Sequence, residues 1–226
     1  MLVLFLQACR DIFNLALCSS AFFLFNMGRS IDTLQKLLFD LAGVLPADTE
    51  PLFAMATPVS LEANEAYIRE GENSRRLAFI ERGVIRAYTI KENGEEATLL
   101  LRWEGQFIAS HDTIINRHPS RFIYRALEPM ELLQIDYDVL EDVLKIHPEY
   151  EPLRNFFLMK MLAESLKMLE SFVTQSPEER YRELLSERFD LVNRVPDKYI
   201  ASMLGITPVS LSRIRKRMHT KGKTIT

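Results

Sequence analysis

Four of the chain's eight glycines recur at nearly equal intervals, and that interval limits the fold more than any other feature. Gly71, Gly83, Gly94 and Gly105 stand 12, 11 and 11 residues apart. Around them lie short runs rich in β-branched and aromatic residues, at 77–81, 84–90, 97–103, 122–127 and 131–135. Strands of that length with glycine turns at that interval predict an antiparallel sandwich or barrel. Asn93-Gly94 between two runs is a hairpin signal, because both residues tolerate positive φ. Trp103 and Phe107 are read as core of this β segment rather than as a stacking platform.

From Tyr137 onward the period changes. Val139, Leu140, Val143 and Leu144 mark a short helix that ends before Pro148, and a longer one is expected over residues 149–174. Within it Met159, Leu162, Leu166, Leu169 and Val173 are spaced 3, 4, 3 and 4, a heptad seam. Such a seam pairs with a second copy or packs on its own domain, and the pattern leaves both open. Ser176-Pro177-Glu178-Glu179 then opens another helix, with Ser176 as cap and Glu179 completing a capping box. Strands first and helices after make an α+β chain.

The upstream part says less. Ile31 begins a helical spacing that runs to Leu45. Residues 2–6 and 12–25 are strongly apolar, with Arg10 and Asp11 between them. They lack the basic start and small-residue site of a signal peptide, and each run is short for a membrane span. The readings left are a start upstream of the native Met27, a loosely attached helix, or a membrane tether.

Residues 197–218, DKYIASMLGITPVSLSRIRKRM, carry the functional signal. Ile200, Ala201 and Leu204 share one face of a short helix, and Gly205 permits the left-handed turn that ends it. Thr207 is a cap and Pro208 a first helical residue, so a second helix starts at once. Its inner stripe is Leu211, Ile214 and Met218. Small residue, glycine turn and paired apolar residues in this register define a helix-turn-helix.

Charge supports that reading. The net charge is −3, yet the stretch from Arg194 to Thr226 holds eight Lys or Arg and one acid, which leaves −10 on the rest. A basic end on an acidic body fits a module that meets phosphates. At 100° per residue Val209, Ser212, Arg213 and Lys216 point away from the inner stripe. Arg213 suits a bidentate contact to guanine and Val209 a thymine methyl. Thr207, Lys216 and Arg217 suit phosphates, and Ser210 completes the set expected to face double-stranded DNA. A helix that bound protein instead would want an apolar outer face.

Two segments, YIREGENSRRLAFIERGVIRAYTIKENGEEATLLLRWEGQFI from Tyr67 to Ile108 and KYIASMLGITPVSLSRIRKRM, resemble the Crp/Fnr family of regulators. The resemblance runs from Ile31 to Met218 and is nearest to short-tailed members from Bacteroidetes-type bacteria. It implies a β-roll of the cyclic-nucleotide-binding type (a jelly roll), a long dimerisation helix and a C-terminal helix-turn-helix. It also implies a cytoplasmic homodimer that sets two recognition helices in successive major grooves and meets RNA polymerase. The seam residues Met159, Leu162, Leu166, Leu169 and Val173 become the dimer interface. Expected divisions are residues 1–26 as an extension, 27–136 as the roll with its leading helix, 137–175 as connecting and dimerisation helices, and 176–226 as the DNA-binding domain.

Members that bind cyclic nucleotides carry a Gly-Glu pair for the ribose and an Arg-Ser pair for the phosphate. Here residues 105–110 read GQFIAS, and Pro119-Ser120-Arg121 reverses the second pair. The candidate pocket is Phe107, Ser110, Ser120 and Arg121. A one-residue shift on a strand turns Arg121 to the other face, so cyclic AMP is not expected to bind and no cofactor is assigned.

Enzyme chemistry finds no foothold. The four histidines form no HExxH motif, and no phosphate-binding loop or nucleophile elbow is present. Cys9 and Cys18 are too few for the four thiolates of an iron–sulfur cluster.

Overall fold

The computed structural model describes residues 54–222; the apolar N-terminal run, both cysteines and the helix expected from Ile31 lie outside them. Eight strands come first: β1 (Thr57–Leu61), β2 (Ala66–Ile68), β3 (Arg76–Arg82), β4 (Ile85–Ile90), β5 (Glu96–Arg102), β6 (Phe107–Ala109), β7 (Ile123–Ala126) and β8 (Met130–Asp136). They form two antiparallel four-stranded sheets, in the orders β1-β8-β3-β6 and β2-β7-β4-β5. Between the sheets Ile68, Ile80, Ile85, Ile108, Tyr124, Met130 and Leu132 close on one another. Each such side chain contributes about 1.5–3 kcal/mol by leaving water.

Two turns show why glycine spacing marks this fold. Gly83 has φ +103°, and a Cβ there would lie 2.5 Å from Met130 Cγ and 2.9 Å from the Pro129 carbonyl. The β4–β5 hairpin differs from the two-residue turn that Asn93-Gly94 suggests. It is a five-residue loop in which only Gly94 takes positive φ, while the Asn93 side chain accepts the Glu95 N–H (3.0 Å).

Helices follow: α1 (His111–Ile114) between β6 and β7, then α2 (Tyr137–Ile146), a 3₁₀ turn (Pro148–Tyr150), α3 (Glu151–Thr174), α4 (Pro177–Glu187), α5 (Leu191–Arg194), α6 (Asp197–Met203) and α7 (Pro208–Gly222). Ser176 and Glu179 form the full capping box at the start of α4. A second core lies outside the roll, where Val84 and Leu101 meet Tyr181, Leu184, Leu191, Ile200, Leu204, Leu211 and Ile214. The run from Val84 is therefore buried on both faces of its sheet.

Trp103 and Phe107 are corrected by this arrangement. Neither lies between the sheets. Trp103 packs on the second core under the Arg188 guanidinium, 5.3 Å from its ring. Alternation along β6 sends Ile108 inward and Phe107 outward, against Phe79 (5.3 Å) and Phe157 of α3 (4.8 Å). Among the described residues no helix is long and apolar enough to cross a membrane.

Candidate nucleic-acid interface

The helix-turn-helix is built from the bottom by packing. Ile200, Ala201, Leu204, Leu211 and Ile214 are fully buried where α6 crosses α7. The Gly205 N–H donates to the Ser202 carbonyl (3.1 Å) and the Ile206 N–H to that of Ala201 (2.9 Å), which closes α6. Thr207 caps α7, its hydroxyl accepting the Ser210 N–H (3.2 Å) and lying 3.0 Å from the Ser210 hydroxyl.

The outer side of α7 carries the predicted set. Val209 is 61% exposed, and Thr207, Ser212, Arg213, Lys216 and Arg217 are exposed beside it. Arg217 reaches Glu178 of α4 (3.1 Å). Arg215, between them in sequence, turns inward. It donates to the Tyr181 hydroxyl (2.8 Å) and to Asp197 (2.7 Å), which ties α7 to α4 and α6.

One cation counted with the basic end, Arg194, faces the roll instead. Arg194 pairs with Glu104 and Glu128, in two turns of the roll, and with Asp190 (2.9 Å). Arg188 joins Glu104 (3.0 Å) and Asp190 (2.8 Å). Burial raises the Glu104 pKa, but hydrogen bonds from Arg194, the Gly83 N–H and Arg188 outweigh it and hold the group at about 2. Nearby, α6 covers edge strand β5. Ser202 accepts the Thr98 N–H (2.9 Å), and the buried Arg86 guanidinium lies over the Tyr199 ring (3.8 Å) and the Tyr88 ring (4.3 Å). Sequence reading missed these contacts, since nothing local marks a carboxylate that an arginine meets far along the chain.

On α3 the seam stands out from its own chain. Met159, Leu162, Leu166, Leu169 and Val173 are each between 51% and 78% exposed. The opposite side of the helix meets its own chain, through Phe157 on Phe107, Glu164 on Arg102 (3.3 Å) and the partly exposed Phe172 over Gly205.

The candidate pocket is split. Ser110 and Ser120 come together, hydroxyl to hydroxyl at 3.1 Å, both buried, and Ser120 donates onward to the Phe122 carbonyl (2.8 Å). Tyr124 lies beside them, its hydroxyl raised to about 12 by burial. Phe107 faces away, toward α3. Arg121 sits largely exposed and forks onto the buried Asp112 at 2.9–3.2 Å, which also takes the Arg121 N–H (3.0 Å). Burial raises Asp112, but the Arg121 bonds prevail and lower it. The pairing of Asp112 with Arg121 is what sequence reading did not find. A cyclic phosphate requires a cation and donors converging on it, and here the cation is held by a carboxylate while the hydroxyls satisfy each other. These residues do not fit that group.

Comparison with known proteins agrees with this architecture. A family model described as cyclic nucleotide-binding domain matches residues 58–147. The Fumarate and nitrate reduction regulatory protein of Vibrio cholerae is 25% identical over 187 residues, covering 74% of this chain and 72% of that protein. The Global nitrogen regulator of a Nostoc species is 22% identical, covering 69% and 75%. In fold the chain is similar to FixK2 from Bradyrhizobium japonicum (TM-score 0.63, 18% identity, 74% of this chain and 86% of that one). It is also similar to the c-di-GMP responsive global regulator CLP of Xanthomonas campestris (0.60, 16%, 76% and 91%).

Proposed function

We propose that the chain is a regulator of the Crp/Fnr type, a DNA-binding transcription regulator that works as a homodimer. The observation that carries the reading is α7: its apolar stripe is locked onto α6 while a small, basic face with no acid from Thr207 onward stays exposed. A protein-binding tail would present apolar surface there, and Val209 is the one large apolar side chain on that face.

Thr207, Val209, Ser210, Ser212, Arg213, Lys216 and Arg217 are assigned to DNA, with Arg213 reading a base and Lys216 and Arg217 holding phosphates. The exposed seam on α3 is assigned to the second copy, since a continuous apolar stripe of that length seldom faces water in a monomer. Residues 27–136 act as the sensing unit, 137–175 as its connection and dimer helix, and 176–226 as the reader. RNA polymerase is the partner such a regulator meets at a promoter. The sensing unit takes an effector other than a cyclic nucleotide, or none.

Selection of bound sequences from random duplex DNA tests the reading. Recovered sites are expected to be two-fold symmetric, with half-site centres about 10 base pairs or a multiple apart. Two phosphate-holding cations per protomer, four per dimer, predict a slope of log affinity on log salt of roughly −3.6. Failure to enrich any symmetric sequence at low salt overturns the assignment.

A further inference from the structure

The link from α3 to α4 is only Gln175 and Ser176, and Arg180 reaches back across it while also reaching α6. Arg180, one turn into α4, donates from Nη1 to the carbonyls of Gln175 (2.7 Å) and Ser171 (3.3 Å), and from Nη2 to that of Leu204 (2.8 Å). The first two carbonyls close α3, and Leu204 is the C-cap of α6. Final helix carbonyls lack intrahelical donors and carry the negative end of the helix dipole. A single guanidinium thus joins the ends of two helices that are distant in sequence.

The same group lies 4.5 Å from the Phe172 ring. That ring in turn stands 3.0 Å from where a Cβ on Gly205 would lie, and Gly205 holds the φ of +70° that opens the turn into α7. Contact therefore runs from the end of α3, through Phe172 and Arg180, to the turn that aims α7. Lys167, on the outside of the elbow, pairs with Glu183 (2.6 Å) and Glu187 (2.8 Å) of α4 and does not replace this link to α6.

We propose that Arg180 is a positioning residue for DNA recognition: it fixes the angle between α3 and the helix-turn-helix, and so sets the one half-site spacing that paired α7 helices accept. The proposal rests on the reading of α7 as the helix that enters DNA. Each base pair added between half-sites shifts the second by about 3.4 Å and turns it by about 34°, so two readers held at a fixed angle reject it. Lysine keeps the charge, but as a point donor it has no planar fork to span both helix ends.

The test uses the full chain, wild type and Arg180→Lys, with Phe172→Leu as a second variant that leaves the guanidinium in place. Affinity is measured for the selected palindrome, for versions one base pair longer or shorter, and for a duplex with a single half-site. Wild type is expected to lose on the order of 100-fold when the spacing changes. Arg180→Lys is expected to lose only about fivefold, with single half-site affinity within about twofold of wild type. Phe172→Leu should move the same way by less, and it carries the test alone if Arg180→Lys does not fold. Unchanged spacing discrimination in the variants overturns the role of Arg180. So does an equal loss on the single half-site, which would mean that Arg180 only holds the helix-turn-helix together. A wild-type chain that selects no symmetric site overturns the DNA reading itself, and the positioning role with it.

Discussion

A guanidinium reads a base only when its own protein does not already hold it. Of the arginines in the basic end, Arg194 and Arg215 are engaged with carboxylates and Tyr181, and the exposed Arg217 shares the mostly buried Glu178. Among the described residues Arg213 has no such partner. Arg213→Ala is therefore expected to cost about 1–3 kcal/mol on the specific site and to relax one base position, whereas Lys216→Ala weakens all sequences alike. Competition binding on specific and random duplexes checks this; equal losses for Arg213→Ala on both would remove its assigned role. Sequence counted these charges correctly but could not sort them, because Glu104 and Glu128 lie 90 and 66 residues from Arg194. The roll pocket shows the same limit. Ser110 and Ser120 are legible as pocket residues through the family's order of residues, while nothing in the sequence pairs Asp112 with Arg121. Calorimetry with cyclic AMP or cyclic GMP at millimolar concentration is expected to give no saturable heat, and a low micromolar Kd would show that Arg121 leaves Asp112 for a phosphate.

At the scale of elements, length decides what a sequence reveals. The α3 seam was visible because it repeats over four intervals, and the capped start of α4 because Ser176, Pro177 and Glu179 each have one local role. Three strands fall outside the runs read from the sequence: β1, which includes Pro58, and β2 and β6, which span three residues each. Three residues give no alternation to read, which is also why Phe107 was placed on the wrong face. What the seam pairs with was left open by its pattern, and its exposure on a single chain is what turns the argument toward a second copy. Leu166 and Leu169 are 55% and 61% exposed, so charges there cost a lone chain little. In a paired seam the same charges lie buried without partners and are costly. Leu166→Glu combined with Leu169→Glu should therefore leave melting of the fold nearly unchanged while converting dimers to monomers. Operator affinity should fall by more than about tenfold, because one reader is lost. Sedimentation at micromolar concentration decides it, and a double variant that still runs as a dimer would place the interface elsewhere.

For the whole molecule the question is what keeps the reading helices seated on the roll. Apolar contact supplies part of the answer, through Leu101, Val84 and Trp103 against α4 to α7. The rest is electrostatic, with Glu104 and Glu128 on the roll facing Arg188 and Arg194 across the contact. A carboxylate whose pKa falls on folding gives stability that is complete above its ordinary value and is lost as pH drops toward the folded value. For Glu104 those limits are 4.5 and about 2. Asp190, lowered by Arg188 and then Arg194, acts in the same direction. Seating should thus be indifferent to pH near neutrality and weaken only in acid. The chain carries its own reporter, since Trp103 is its single tryptophan and lies under Arg188 at this contact. An acid titration at constant ionic strength should shift Trp103 emission to the red between about pH 4.5 and about 2 as the contact opens and water reaches the ring. In Arg194→Gln the Glu104 carboxyl loses its chief donor and titrates nearer its ordinary value, so the midpoint should move to higher pH. The amount of helix at neutral pH, read by circular dichroism, should not change, because the second core remains. If the two proteins open at the same pH, the charges across the contact do not hold it, and seating rests on the apolar contact alone.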